Sequence, residues 1–192
     1  MPGQSAFAPA PLPVFGRPAR VGETYYSIPG TGIFSAVSTA LVVNTDLYFP
    51  IYVTTPVVVD QLAFEVVTPV AGNTRIGLYA ADRDWQPVGG PLADSGDIST
   101  AVSSVKTYTP ASSIALPAGR YLTVMNHAVL PAVRVIFVNS IGIQSAIGAS
   151  PAIQYFSVSR TYGAFPTPGT KWDTAASDVN ARHPVLLRIS QP

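Results

Sequence analysis

Between Leu47 and Ala80 three candidate strands follow in quick succession, and in two of them large apolar side chains recur at every second position. Leu62, Phe64 and Val66 alternate with Ala63, Glu65 and Val67, the period of a strand with one buried face. Ile76 and Leu78 resume the pattern after Ala71-Gly72-Asn73, a break that reads as a loop of hairpin type. Just before them, Pro50 inside Tyr48–Val53 predicts an edge strand or a bulge, because proline has no backbone donor for a ladder. A segment of this kind cannot hide its apolar face alone. It needs a second sheet packed on it, which the later strands are expected to supply.

Those later strands are legible at intervals. Val102–Tyr108 alternates, Arg120–Met125 follows the turn Pro117-Ala118-Gly119 and reads as a central strand, and Arg134–Val138 is strongly β-forming. Gln154–Tyr162 alternates again, and Pro184–Ile189 is a closing strand. Upstream, Glu23–Ile28 is a short first strand; in Ala36–Val43 the residues Ala36, Val37, Ala40 and Leu41 could share one side of a helical turn, but strand is favoured because Thr39, Val42 and Val43 are β-branched. Three stretches lack periodicity. Ala81–Thr100 is read as a long surface loop rich in Asp, Gly and Pro; Asn139–Ala152 is rich in Gly, Ser and Ala; Gly163–Asn180 is a loop holding Trp172. Eight to ten short strands with no amphipathic helix predict an all-β antiparallel sandwich of jelly-roll type over 23–192.

Residues 1–22 break the pattern altogether. Pro2, Pro9, Pro11, Pro13 and Pro18 exclude helix and central strand and favour an extended, polyproline-like arm. Phe7, Leu12, Val14 and Phe15 are larger than a linker requires, so they are candidates for docking into pockets of a neighbouring subunit; a disordered tail is the bland alternative.

Composition narrows the classes of function. Only 11% of the 192 residues are charged, against about 25% in ordinary soluble proteins. The deficit is filled by Ser, Thr, Gly, Pro and Ala, a surface suited to an assembly. A net charge of +1 with scattered basic residues argues against nucleic acid and anionic membranes as partners. With no cysteine there is neither a disulfide nor a thiolate metal site. The first residues do not look like a secretory signal and no apolar run is long enough to insert in a membrane, so synthesis in a cytoplasm without export is expected.

Catalytic chemistry finds little purchase. A glycosidase needs two carboxylates about 5–9.5 Å apart, and the only glutamates are Glu23 and Glu65. The pairs Asp82/Asp84 and Asp94/Asp97 could meet as such a pair or hold calcium, but loop aspartates are more often turn formers. His127 and His183 have no companion pattern for zinc or a triad and are read as structural or surface residues. No phosphate- or dinucleotide-binding motif is present, so no enzyme, cofactor or metal is expected. Aromatic residues remain. Trp85 lies beside Asp82 and Asp84, and Trp172 beside Lys171 and Asp173, as tryptophans do where a sugar ring stacks on them and its hydroxyls bond to carboxylates. Capping the ends of the sandwich is the alternative use of both.

Several motifs occur in a familiar order. Tyr48, Pro50, Tyr52 and Val53 precede Asp60, Leu62, Phe64, Val66 and Thr68; Arg75-Ile76-Gly77-Leu78-Tyr79-Ala80 follows, then Leu92-Ala93-Asp94-Ser95-Gly96, Leu116-Pro117-Ala118-Gly119-Arg120-Tyr121-Leu122 and Pro184-Val185-Leu186-Leu187-Arg188. Over roughly residues 40–190 this run resembles a jelly-roll module of bacteriophage tail-fibre and other virion structural proteins, itself similar to carbohydrate-binding modules. The resemblance implies a non-enzymatic virion component, a homotrimer among other virion proteins, projecting as a fibre or spike and contacting a host-surface polysaccharide. A capsid decoration or cement protein is the alternative of the same architecture. Modules of this family are often parts of longer fibres, whereas here the module fills most of the chain.

Overall fold

The computed structural model describes residues 33–38, 42–53, 56–138, 156–171, 181–183 and 185–191; for 33–38, 136–138, 181–183 and 191 it describes the backbone alone. In chain order the strands are β1 (Ile33–Ser38), β2 (Thr45–Val53), β3 (Val57–Thr68), β4 (Asn73–Ala81), β5 (Pro87–Asp94), β6 (Ile98–Ser99) and β7 (Ser104–Tyr108). There follow β8 (Ile114–Leu116), β9 (Gly119–His127), β10 (Ala132–Val138), β11 (Phe156–Ser159), β12 (Ala181–His183) and β13 (Leu186–Gln191). None of the described residues is helical.

The strands form two antiparallel sheets packed as a β-sandwich. The first runs β1-β10-β3-β13, with β12 also on β10 and both β7 and β8 on β3. The second runs β11-β2-β9-β4-β5, with β6 on β4. Strand β3 meets β10 only at Val66 and Thr68. Lower down β12 pairs with β10 and β13 with β3, so the last strands of the chain lie where those two part. The core fills with the alternate residues that the sequence pattern marks. Leu62, Phe64 and Val66 of β3, Val133 and Val135 of β10, and Leu187 and Ile189 of β13 face Leu47 and Phe49 of β2, Ile76 and Leu78 of β4, and Met125 of β9. Burying each such side chain stabilises the fold by about 1.5–3 kcal/mol.

Two expectations change. The break Ala71-Gly72-Asn73 does not close a hairpin: β3 belongs to the first sheet and β4 to the second, so the loop is a corner between layers. The stretch from Leu47 to Ala80 therefore threads both sheets rather than lying in one, since β2 and β4 both pair with β9. Alternation shows which side chains enter the core, but a core between two sheets accepts them from either. Likewise Ala81–Thr100 is not a loop throughout. Strands β5 and β6 lie in it, and the β4–β5 ladder slips its register between Leu78 and Ala80, around Gly89-Gly90-Pro91, which hides the period.

Other expectations hold with shifted ends. β9 lies between β2 and β4, as the central-strand reading has it. β11 covers β2 only from Thr45 to Tyr48, so around Pro50 the strand has β9 alone beside it among the described residues. The strand expected at Ala36–Val43 overlaps β1, Ile33–Ser38, and residues 39–41 of it lie outside the described residues. The arm with Phe7, Leu12, Val14 and Phe15, the strand Glu23–Ile28, and Trp172 lie outside the described residues.

Residues 160–171 cross the outer face of the second sheet as a strap, and Gly77 sets how closely it lies. A Cβ at Gly77 would meet Ala93 O at 2.6 Å and the Phe165 ring at 2.9 Å. Because one of these atoms is backbone, the site cannot yield by a rotamer change. Gly77→Ala is expected to destabilise the protein by about 1–3 kcal/mol and to open the strap to limited proteolysis; an unchanged urea midpoint would show that the strap does not press on β4.

Candidate functional site

The inner face of the second sheet meets the core. Its outer face is built by the opposite set of residues on the same strands: Asp46, Tyr48 and Tyr52 on β2, Arg120, Leu122, Val124 and Asn126 on β9, and Arg75, Gly77 and Tyr79 on β4. Antiparallel register aligns these into rows. Tyr48 lies opposite Val124, Tyr52 opposite Arg120, and Tyr79 opposite Leu122.

Most of this face lies under the strap, and the sequence does not mark how it is held. Phe165 and Phe156 pack with Tyr48, Tyr79, Leu122 and Val124 in a second buried cluster. The Tyr79 hydroxyl donates to Pro166 O at 2.7 Å. At one end Arg160 forks onto the fully buried Asp46, whose Oδ1 also accepts from Asn126 Nδ2 at 2.6 Å. Its guanidinium donates onward to the carbonyls of Thr161, Gly163 and Ala164, fixing the first turn of the strap. At the sheet edge Arg75 binds Asp94 and Asp97 at 3.0 and 2.9 Å. Asp94 accepts the Phe165 N–H, and Asp97 accepts the Tyr162 hydroxyl. Burial raises the Tyr48 and Tyr79 hydroxyls well above the ordinary tyrosine range, and burial together with the hydrogen bond to Asp97 pushes Tyr162 up to about 12. All three stay neutral at physiological pH, so this part of the face serves to clamp.

The sequence candidates separate here. Asp94 and Asp97 do come together, and both bind the Arg75 guanidinium. Among the described residues no group of three metal-ligating side chains is found. Asp82 builds its turn: its Oδ1 accepts the N–H groups of Asp84 and Gln86, both at 2.9 Å. Asp84 projects into solvent beside Arg83, at 70% side-chain exposure. His127 is buried in the core, its Nδ1 2.7 Å from Thr74 Oγ1.

Trp85 closes the turn that Asp82 builds. It is held at φ 63, the left-handed conformation that normally falls to glycine after a tight turn. Trp85 N–H donates to Asp82 O at 3.1 Å, closing that turn. A bulky side chain in this conformation costs roughly 1–2 kcal/mol. Its ring is half-buried against the Tyr79 cluster, and the Arg120 guanidinium carbon lies over it, 5.5 Å from its centre. Beside Arg120, on the neighbouring strand, Tyr52 is 55% exposed. Tyr52, Arg120 and Trp85 thus form one row at the end of the outer face opposite Asp46. Neither Tyr52 nor Arg120 stands out in the sequence as a ligand residue; only the register between β2 and β9 brings them to Trp85.

A second exposed feature lies at one end of the sandwich. The loop carrying Val70 is bonded to Thr100, Thr100 to Gly72, and Ala128 to Asn73, which gathers three loops together. Val70, Val102 and Leu130 are exposed there, and Val42 joins them next to the bridge from Val43 to His127. Residues 69–72, 100–103 and 128–131 carry no charge.

No known protein family, curated protein or solved structure matches the chain.

Proposed function

We propose that this protein is a non-enzymatic structural component of a bacteriophage virion: a β-sandwich of jelly-roll type that projects as a fibre or spike, is anchored by residues 1–22, and contacts glycans on the host surface. The observation that carries the glycan contact is the row Tyr52–Arg120–Trp85. A pyranose ring has one face lined with C–H groups, which packs on an aromatic ring, and hydroxyls at its rim, which accept from a guanidinium. The virion assignment rests on the resemblance of ordered motifs in this sequence to those of phage modules. Those motifs fall on strands that build both layers, on β2, β3, β4, β9 and β13. Assembly as a homotrimer with other virion proteins, made in the bacterial cytoplasm, belongs to the same reading.

The exposed apolar end formed by Val42, Val70, Val102 and Leu130 favours a second use, as a decoration or cement protein seated between capsid subunits. Burial of these side chains against a neighbour would stabilise the contact at about 25 cal/mol per Å² of apolar surface removed from water. Electron microscopy of intact particles carrying a gold label on this protein distinguishes the two. Label on tail tips or projecting fibres is the expected result. Label spread over the head would instead support the cement reading, and label on no particle would overturn both.

A further inference from the structure

The arginines of this protein are used in a consistent way, and Arg120 departs from it. Of the six whose side chains are described, Arg75, Arg83, Arg134, Arg160 and Arg188 each bind a carboxylate within 4.0 Å. Arg120 has no carboxylate partner among the described residues. Its guanidinium is placed by the Trp85 ring instead. A guanidinium held over a ring rather than by a carboxylate keeps its planar fork of donors for a two-pronged acceptor. The β2–β9 register sets Tyr52, which is 55% exposed, directly opposite Arg120 on the neighbouring strand. Of the two carboxylates in the turn before Trp85, Asp82 is committed to backbone N–H groups and Asp84 lies beside Arg83.

We propose that the Tyr52–Arg120–Trp85 row binds a carboxylate-bearing sugar residue, such as a hexuronate, within a surface polysaccharide. The inference rests on the glycan-contact reading above and names the class of sugar. The carboxylate takes the Arg120 fork, and the apolar sugar face packs on Tyr52. Trp85 holds the guanidinium in place, and the strained backbone at that residue is tolerated for the sake of its ring.

The test is a set of acidic bacterial polysaccharides, each presented in its native form and after chemical reduction of its carboxylates to alcohols, with binding to the full chain measured by interferometry. Reduction of the carboxylates is expected to weaken binding by about 10–100-fold, the value of a charge-assisted hydrogen bond in a site of this kind. Arg120→Ala should bind the native and reduced forms alike. Arg120→Lys should retain only part of the preference, because an ammonium lacks the fork. Trp85→Gly frees the guanidinium and should lose most of the preference for the native form while keeping its turn, since glycine suits that conformation; its thermal melt serves as the control for folding. Equal binding of native and reduced polysaccharides by the wild type would overturn the acidic-sugar assignment and leave the glycan reading intact. Binding to none of them would overturn both, while the virion assignment would still be decided by particle labelling.

Discussion

Asp46→Ala is expected to lower the unfolding free energy by about 3–5 kcal/mol, the cost of leaving one partner of a buried ion pair without the other. Asp46 is fully buried, and its two oxygens serve Arg160 and Asn126 together. With the carboxylate gone, the Arg160 guanidinium stays partly buried with no counter-charge, and Asn126 Nδ2 loses its shortest bond. At roughly 2–4 °C per kcal/mol for a domain of this size, the melting temperature should fall by about 6–20 °C. Asp46→Asn preserves the shape and removes the charge, so its loss should be smaller. The double variant Asp46→Ala, Arg160→Met removes both charges, and it should be less destabilised than Asp46→Ala alone. Thermal melts of the three variants check this. Simple additivity in the double variant would mean that the two side chains do not act as a pair.

Stability should also fall in mild acid because of His127. Burial pushes its imidazole down to about 4 from the ordinary 6.5. The folded protein therefore holds it neutral, while the unfolded chain takes up a proton first. The contribution of the neutral ring is complete above about pH 6.5. It is lost as pH falls from there towards about 4 and changes no further below that value, where both states are protonated. At about 1.4 kcal/mol per pH unit, the loss is on the order of 3 kcal/mol. The core offers nothing to offset the charge: Thr74 engages Nδ1, and Nε2 has no partner among the described residues. Urea unfolding of wild type and His127→Gln between pH 7 and pH 4 isolates the effect, because carboxylates such as Glu65 titrate in both. Parallel curves for the two proteins would show that His127 does not govern the acid limb.

The two residues also show what a linear reading of the chain can miss. His127 ends β9, and a structural or surface role was the reading because no companion pattern for a metal or a triad accompanies it. Asp46 carries no such signal. It stands after Asn44-Thr45 in what reads as a turn, and nothing nearby in sequence calls for a buried charge. Its partner Arg160 lies 114 residues away, and the strap that Arg160 organises reads as the end of an alternating strand running into loop. Trp85 was legible as a candidate because tryptophan beside polar residues in a loop invites the question. Arg120 was not, because within its own segment it is an ordinary polar position on an alternating strand.

From the sequence alone follow the all-β class, the central place of β9, and the inward set Leu62, Phe64, Val66, Ile76 and Leu78. These rest on a period of two, which is a local property: each strand carries it whether or not its partner is known. The tertiary structure decided that Ala71-Gly72-Asn73 turns a corner between sheets, that Asp94 and Asp97 enclose a guanidinium, and that Tyr52, Arg120 and Trp85 meet. Each of these depends on which strand lies beside which and in what register. That choice is made by the joint burial of two faces and the pairing of distant charges, and no single segment contains it.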